Sequence, residues 1–183
     1  MSKGGYKIRD QKACYFVTFQ VVYWIDVFTR QTYRDIFLDL LRFYQENQGL
    51  KVHAYVIMSN HIHLILSASQ SKNDLSSIIG RIKSLSSKKI KDEIEQSNES
   101  RKEWILWMMK RAASKHKRND SFQLWTHDSH PILLDDNIKL KQRLDYIHQN
   151  PVKAGIVANA EDYIYSSAGA YAGLPSLIKI DFI

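Results

Sequence analysis

The sequence HAYVIMSNHIHLIL, residues 53–66, decides the fold. Apolar and β-branched side chains fill both of its halves, and the short polar link Ser59-Asn60 separates them. This pattern is typical of an antiparallel hairpin with a tight turn. We therefore predict two strands, 51–58 and 61–67. Because both are strongly apolar, we place both in the interior of a sheet, near its centre.

Two histidines interrupt the apolar pattern of the second strand. Alternate residues of a strand point to the same face, so His61 and His63 stand side by side while Ile62 and Leu64 enter the opposite face. Two imidazoles on one rigid face form half of a metal site. The alternative is a pair of core histidines satisfied by hydrogen bonds, and the His-x-His pattern alone leaves both open.

The elements on either side of the hairpin indicate an α+β domain. Aromatic and β-branched residues predict a first strand over 14–25. Apolar residues at helical spacing predict helices over about 33–47, 74–93 and 136–150, the last ending there because a proline follows. A fourth strand is predicted at 122–125. This order of elements favours an antiparallel sheet with helices packed on one face.

The composition fits one domain spanning residues 1–183. Hydrophobic residues make up 44% of the chain and aromatic residues 11%, enough for a substantial core. No apolar run reaches the roughly 20 residues of a membrane helix, and the start lacks the apolar middle of a signal peptide, so we expect a cytoplasmic protein. The single cysteine, Cys14, excludes an internal disulfide and a cysteine-based metal cluster.

The positive charge is concentrated in one segment. The net charge is +7, and residues 81–118 hold twelve Lys and Arg against five Asp and Glu, whereas the rest of the chain holds fourteen of each. These cations lie beside Trp104 and Trp107, as expected of a surface that follows nucleic-acid phosphates, although a solvated helix face would have the same composition. Weak apolar periodicity over about 94–121 predicts a basic, partly helical excursion.

A second candidate for chemistry is DYIHQNPV, residues 145–152. On a helix Tyr146 and Asn150 lie one turn apart on the same side, so a phenol and an amide oxygen would face the same space. Each also has an ordinary explanation. Tyr146 would fit the apolar face of a helix, and Asn150 would fit the residue that ends a helix before Pro151.

Together the two motifs make a coherent reaction centre. A divalent ion held by His61, His63 and the side-chain oxygen of Asn150 would keep open positions for phosphate oxygens and would polarise the phosphorus. Tyr146 would then be the nucleophile, although a neutral phenol needs cationic surroundings or loss of its proton in order to attack. By ligand preference alone, Mn²⁺ or Zn²⁺ would suit these donors at least as well as Mg²⁺.

The stretches YVIMSNHIHLIL (55–66) and LDYIHQNPVKAGIV (144–157) resemble the HUH-type single-strand DNA tyrosine transposases, and in particular the REP-associated tyrosine transposases. The resemblance covers most of the chain, including the aromatic first strand and the sequence YIYSSAGAY at 163–171. Members of this family often have proline at the position of Ser59. That difference affects the rigidity of the turn and removes no catalytic group.

The resemblance implies a ferredoxin-like α+β fold, the HUH endonuclease fold, and a transposase activity. That activity is Mg²⁺- or Mn²⁺-dependent cleavage and rejoining of single-stranded DNA through a 5′-phosphotyrosine, with recognition of a palindromic hairpin. It implies that Tyr146 is the nucleophile and that His61, His63 and Asn150 bind the metal, although related transposases have Gln at the last position. It also implies a bacterial, nucleoid-associated protein without a membrane partner, acting as a monomer or as a homodimer that exchanges the tyrosine helix.

The candidate DNA contacts are cations of the basic segment. Some lie on the polar face of helix 74–93, and others follow near 110–118. They are Arg81, Lys83, Lys88, Lys110, Arg111, Lys115, Lys117 and Arg118. Trp104, Trp107 and Trp125 are candidate surfaces on which unpaired bases stack.

Two other functions remain open on the sequence. A non-catalytic hairpin-binding protein would keep the same fold, but intact His61, His63 and Tyr146 favour an enzyme. A zinc hydrolase built on His-x-His would need a third strong ligand and a general-base carboxylate, and neither has an obvious candidate.

Overall fold

The computed structural model describes residues 8–69, 74–115, 121–127 and 130–183. Its strands are β1 (Tyr15–Gln20), β2 (Leu50–Ile57), β3 (His61–Ala68) and β4 (Ile132–Leu133). Its helices are α1 (Gln31–Gln48), α2 (Leu75–Gln96), α3 (Lys102–Ala113), α4 (Asn137–Lys153) and α5 (Ala168–Tyr171). Single 3₁₀ turns lie at Val22–Trp24, Val27–Thr29 and Ala160–Asp162. Within these four ranges no helix has the length and apolar character needed to cross a membrane.

The four strands form one antiparallel sheet in the order β2-β3-β1-β4. β3 is central and pairs along its length with β1, so that His61 lies opposite Gln20 and His63 opposite Thr18. α1 connects β1 to β2, and α2 follows β3. This arrangement is that of a ferredoxin-like fold, and it confirms the predicted α+β class.

One face of the sheet is covered by α1 and α2. Phe19 of β1 meets Phe37 of α1 edge to face, with ring centroids 5.7 Å apart, and it meets Trp125 at 5.5 Å. The indole N–H of Trp125 donates to the hydroxyl of Ser86 on α2. Because Phe19, Phe37 and Trp125 are all buried, this face forms the main core of the protein.

The opposite face of the sheet is covered by α4. Tyr146 of this helix contacts Phe16 of β1, which points away from the main core. The expectation that helices pack on one face therefore holds for α1 and α2 and was wrong for α4. Only Ile147 and Pro151 of α4 are buried, so this helix covers the second face incompletely and leaves room for a site.

The fourth strand lies later in the chain than expected. β4 pairs with Tyr15 and Phe16, whereas the predicted strand at 122–125 makes only an isolated bridge between Trp125 and Val21. Leu124 and Trp125 are nevertheless buried. This segment is aromatic and apolar because its side chains pack into the main core. Such packing does not require a paired strand.

β2 is an edge strand and not the interior strand that was predicted. The segment 163–181 covers its outer edge, where the backbone N–H groups of Ser167 and Asp181 donate to the carbonyl oxygens of Tyr55 and Val52, each at 2.9 Å. These bonds satisfy backbone groups that an edge would expose. An apolar strand can therefore lie at the edge of this sheet.

Two helical regions also differ from expectation. α4 continues through Pro151 to Lys153, because the proline lies buried in the last turn and removes only the one hydrogen bond of its missing N–H. Gly155, with a φ of 69°, follows in the left-handed region that commonly ends a helix. The predicted excursion contains α3, whose Ile105 and Met109 are buried.

Candidate active site

His63 is held at the centre of the sheet. It is 5% exposed, its ring stacks on Phe16 with centroids 5.2 Å apart, and its Nδ1 lies 2.8 Å from Oγ1 of Thr18. Its Nε2 is buried and has no hydrogen-bond partner among the described residues. A buried ring nitrogen without a hydrogen-bond partner lowers the stability of the folded protein. A metal ion on Nε2, with Nδ1–H donating to Thr18, would satisfy both nitrogens.

His61 lies at the start of β3, with its ring centroid 4.7 Å from that of His63. Its Nδ1 is 2.8 Å from Oδ1 of Asn60, whose Nδ2 donates to the Trp24 carbonyl and the Asp26 carboxylate. Because the amide nitrogen is engaged elsewhere, the amide oxygen accepts the Nδ1–H of His61. This tautomer leaves the Nε2 lone pair of His61 available as a ligand.

Burial favours the neutral form of both imidazoles. It lowers the pKa of His63 to about 3, and the positive charges of His61 and Arg143 act in the same direction. Burial also lowers the pKa of His61, against a hydrogen bond with Asn150 that raises it. A metal ion binds neutral imidazole, so these surroundings favour ligation over protonation.

α4 brings Tyr146 and Asn150 to the two histidines. The Tyr146 ring meets that of His63 edge to face, with centroids 5.1 Å apart. Tyr146 stays 38% exposed. Asn150, one turn further along, hydrogen-bonds to His61. Two distant stretches of sequence therefore place their four singled-out residues in one site.

The donors of this site fit a divalent ion when the amide oxygen takes part. No group of three or more His, Cys, Asp or Glu side chains that could hold a metal occurs within the ranges that the structure describes. Two imidazoles with the Asn150 oxygen form a mixed nitrogen and oxygen set with positions left for substrate oxygens. The third strong ligand that a zinc hydrolase would need is not found in that part of the chain.

Arg143 belongs to this site and was missed by the sequence reasoning. Its guanidinium carbon lies 5.0 Å from the ring centroid of Phe16 and 6.0 Å from that of Tyr146. No described carboxylate forms an ion pair with it. The sequence did offer a signal. Arg143 precedes Tyr146 by three residues, and residues three apart on a helix are neighbours.

Of the candidate DNA contacts at the end of α3, Lys115 is linked to the site through Tyr23 and Trp24. Three of them are exposed: Lys110, Arg111 and Lys115. The Lys115 ammonium lies 5.1 Å from the ring centroid of Tyr23, and Tyr23 is next to Trp24, whose ring contacts His61. Two further candidates, Lys117 and Arg118, lie outside the described residues.

The candidates on α2 are placed differently. Arg81 and Lys88 are exposed, but α2 covers the face of the sheet opposite to Tyr146, so the fold does not bring them to the site. The Lys83 ammonium lies 5.0 Å from the ring centroid of Phe19, and burial lowers the pKa of Lys83 to about 8. Lys83 is therefore part-buried against the main core, with its ammonium 3.5 Å from the carbonyl of Thr126.

One of the tryptophans is buried in the main core, and the others are exposed. Trp125 is 4% exposed and stacks on Phe28 in the main core, which excludes it as a surface for bases. Trp104 and Trp107 are exposed on α3. Trp24, which the sequence did not single out, is 59% exposed, and its ring contacts that of His61.

Residues 11–120 match the model of the family described as Transposase IS200 like. The matched segment contains His61 and His63 and ends before α4, so Tyr146 and Asn150 lie outside it.

The chain is also similar to a curated protein and to a solved structure. The chain is 28% identical over 125 residues to a curated Haemophilus influenzae protein named as a REP-associated tyrosine transposase. The alignment covers 67% of this chain and 61% of that protein, so the chain spans about three fifths of the relative's length. A solved structure of a REP-associated tyrosine transposase bound to a REP hairpin is similar with a TM-score of 0.61 and 19% identity, over 96% of this chain and 88% of that chain. At this identity the likeness shows the fold.

Proposed function

Because the chain belongs to the IS200-like transposase family, we propose that it cleaves and rejoins single-stranded DNA through a covalent bond to Tyr146. The observation that carries this proposal is the partly exposed Tyr146 beside the buried Nε2 of His63, which has no partner in the described part of the chain. His61 and Asn150 lie in the same site. A nucleophile and a set of metal donors around one point are what metal-assisted phosphodiester transfer requires.

The proposed reaction exchanges one phosphodiester bond for another. The Tyr146 oxygen attacks the phosphorus, the bond from the phosphorus to the 3′ oxygen breaks, and the phenol proton ends on that oxygen. One strand then carries a 5′-phosphotyrosine and the other a free 3′-hydroxyl. Attack by a 3′-hydroxyl reverses the step. Since the phosphoester bonds are conserved in number, rejoining needs no ATP.

The proposed metal is Mg²⁺ or Mn²⁺, held by His61, His63 and the side-chain oxygen of Asn150. Such a cation supplies positive charge that polarises the phosphorus and offsets the negative charge of the transition state. The chain's own contribution is to hold the two rings as ligands. Thr18 and Asn60 do so by their contacts with the Nδ1 atoms of His63 and His61.

Arg143 is proposed to bind the phosphate that Tyr146 attacks. Its guanidinium lies beside the Tyr146 ring and no described carboxylate pairs with it. The planar fork of N–H donors matches the oxygens of a phosphate better than a lysine ammonium does. Arg143 would thus position the phosphorus and stabilise the charge that develops on it.

The proposed substrate is palindromic DNA folded as a hairpin with a single-stranded flank. The solved relative holds a REP hairpin, and this chain concentrates its positive excess in residues 81–118. Binding should weaken with salt, with a log–log slope of about −0.7 for each single-strand phosphate contacted. We place this activity at the nucleoid in a bacterial cytoplasm.

One chain is proposed to be sufficient for the reaction. α4 packs on the sheet of its own chain, where Tyr146 contacts His63. His148 on the same helix hydrogen-bonds to Ser167 at 2.9 Å, and Ser167 is bonded to the edge of β2. These contacts support a tyrosine helix that acts within its own chain, so that a homodimer with exchanged helices is not required.

The test is an adduct assay with hairpin DNA labelled at either end, incubated with Mg²⁺ or Mn²⁺ and resolved on a denaturing gel. We expect a covalent adduct that carries the label of the 3′ part of the strand and disappears in Tyr146→Phe. Tyr171→Phe is the control, because the hydroxyl of Tyr171 on α5 donates to the carbonyl of His53 on β2 and belongs neither to the site nor to a proposed DNA contact. The control variant should form the adduct as the wild type does.

Two results would contradict this proposal. An adduct that persists in Tyr146→Phe would mean that another residue is the nucleophile. A wild-type protein that binds the hairpin tightly but forms no adduct with either metal would be a hairpin-binding protein without catalysis.

A further inference from the structure

Two large aromatic residues next to the site adopt a backbone conformation that side chains rarely adopt. Tyr23 and Trp24 have φ values of 54° and 57°, in the left-handed region. Residues other than glycine, asparagine and aspartate seldom occupy this region, and bulky ones do so at an energetic cost. Both are nevertheless exposed, at 39% and 59%, so burial of the rings does not repay that cost. Such a conformation is commonly found where it serves a function.

The structure fixes this conformation from both sides. The flanking residues Val21, Val22 and Ile25 are at most 4% exposed. The amide of Asn60 donates to the carbonyl of Trp24, and the N–H of Val21 donates to the carbonyl of Asn60. The aromatic pair is therefore attached to the same turn that positions His61. It is held in place before any ligand arrives.

The surroundings of the pair are cationic and lie against the candidate active site. The Lys115 ammonium lies over the Tyr23 ring at 5.1 Å from its centroid. The Trp24 ring meets the His61 ring edge to face, with centroids 6.1 Å apart. The Trp24 ring thus borders the candidate active site, and the ring of its neighbour Tyr23 borders a lysine.

We propose that Trp24, supported by Tyr23, stacks on an unpaired DNA base of the nucleotide next to the phosphate that is cleaved. This inference rests on the proposed function, because it takes the phosphate to lie beside His61 and Tyr146. Every base has a flat π-face, and aromatic side chains bind such faces with little dependence on sequence. The Lys115 ammonium then pairs with a backbone phosphate of the same strand.

Single-stranded DNA suits this surface better than a protein partner does. The proposed surface is small, consisting of the rings of Tyr23 and Trp24, and it borders a site that is proposed to take a phosphodiester. Protein interfaces are usually much larger and have an apolar centre. Rings of fixed orientation beside a cation match the alternation of base and phosphate along a single strand.

The test uses Tyr146→Phe, which removes cleavage, and hairpin DNA in which the fluorescent base 2-aminopurine replaces one flank nucleotide at a time. Stacking quenches this fluorophore. We expect quenching on binding at one or two neighbouring positions next to the cleaved phosphate. Adding Trp24→Ala should abolish that quenching and weaken binding of the flank about 5- to 150-fold, the range for loss of one stacked base. Trp24→Phe should restore most of both.

Trp107→Ala is the matched control. Trp107 is 54% exposed and has a guanidinium over its ring, that of Arg111, at 5.3 Å. It differs from Trp24 in lying on α3, and its ring makes no contact with the His61 ring among the described residues. The control should leave the quenching unchanged, and thermal unfolding should show that each variant is folded.

The outcomes separate this inference from the proposed function. If the wild type forms the Tyr146 adduct but Trp24→Ala leaves quenching and flank affinity unchanged, the stacking surface is wrong while the catalytic proposal stands. If the wild type forms no adduct but Trp24-dependent quenching persists, the catalytic proposal fails and the stacking surface stands. Equal loss in Trp107→Ala would overturn the assignment to Trp24.

Discussion

Ile62 and His63 are neighbours on β3, but they belong to opposite faces of the sheet with different chemistry. On the face of Ile62, the rings of Phe19, Phe37 and Trp125 pack under α1 and α2. On the face of His63, helix α4 lies across the strands and leaves Tyr146 partly exposed. Both neighbours are buried, at 0% and 5%, but the histidine carries a buried Nε2 that has no hydrogen-bond partner among the described residues.

This difference shows how one strand serves stability and chemistry at once. The period of two residues places alternate side chains in separate environments on a shared backbone. The main core holds the backbone of β3 rigid, and that rigidity fixes the rings on the other face. Substitutions on the two faces should therefore have separable effects on stability and on activity.

The largest expected effect comes from comparing the two neighbours directly. Ile62→Ala should lower the free energy of unfolding by about 2–5 kcal/mol, because it leaves a cavity in the main core. His63→Leu should lower the free energy of unfolding by only about 1 kcal/mol, because the loss of the Nδ1 contact with Thr18 is partly offset by removal of a buried Nε2 that has no partner among the described residues, and the volume stays similar. It should also abolish the adduct. Urea denaturation and the adduct assay check both, and equal destabilisation by the two substitutions would contradict the separation.

The next effect concerns a buried carboxylate on the α1 side of the molecule. Burial alone would raise the pKa of Glu99, but the backbone N–H of Arg101 and the guanidinium groups of Arg30 and Arg101 lower it to about 2. The folded pKa lies below the unfolded value of about 4.3, so Glu99 contributes stability above pH 5 that is lost as the pH falls towards 2.

Replacing this carboxylate should remove that pH dependence. Glu99→Gln should lose about 2 kcal/mol of unfolding free energy at pH 7, and the difference from the wild type should shrink as the pH falls from 5 to 2. Asp39→Asn is the control, because its exposed ion pair with Arg42 should contribute little. Urea denaturation at each pH measures both, and a difference that does not depend on pH would contradict the expectation.

A smaller effect is expected for the contact that supports His63. Thr18→Val keeps the shape of the side chain and removes the hydroxyl 2.8 Å from Nδ1. Loss of such a supporting hydrogen bond typically costs about 10- to 100-fold in metal affinity. Titration of Mn²⁺ into the protein measures this, with Thr18→Ser as the variant that retains the hydroxyl. Unchanged affinity in Thr18→Val would show that Thr18 does not orient the ring.

The smallest effect tests the strain at Trp24. Trp24→Gly removes a bulky residue from the left-handed region and should raise the free energy of unfolding by about 1 kcal/mol, while DNA binding weakens. Trp107→Gly, in the middle of α3, should lower it by about 1 kcal/mol because glycine disfavours a helix. Thermal or urea unfolding should therefore show changes of opposite sign in the free energy of unfolding of the two variants. A loss of stability in both variants would mean that the Trp24 backbone is not strained.

Much of the site could be predicted because it depends on local periodicity. A period of two placed His61 and His63 on one face, and a period of 3.6 placed Tyr146 and Asn150 on one side of a helix. The same local rules missed Trp24, because its importance comes from a backbone conformation at the end of β1 and from contact with a turn far along the chain. They missed Arg143 because a basic residue on a polar helix face is ordinary until its neighbours are known.

The sequence by itself determined the hairpin, the helices, the α+β class and the two motifs with their spacing, because hydrophobic periodicity and turn residues act over a few positions. The tertiary structure alone decided which face α4 covers, that β2 lies at an edge sealed by segment 163–181, that Ile132–Leu133 is the fourth strand, and that α4 runs through Pro151. Each of these depends on packing and hydrogen bonds between segments far apart in the chain. Such contacts override local preference, and they bring Tyr146 to His63.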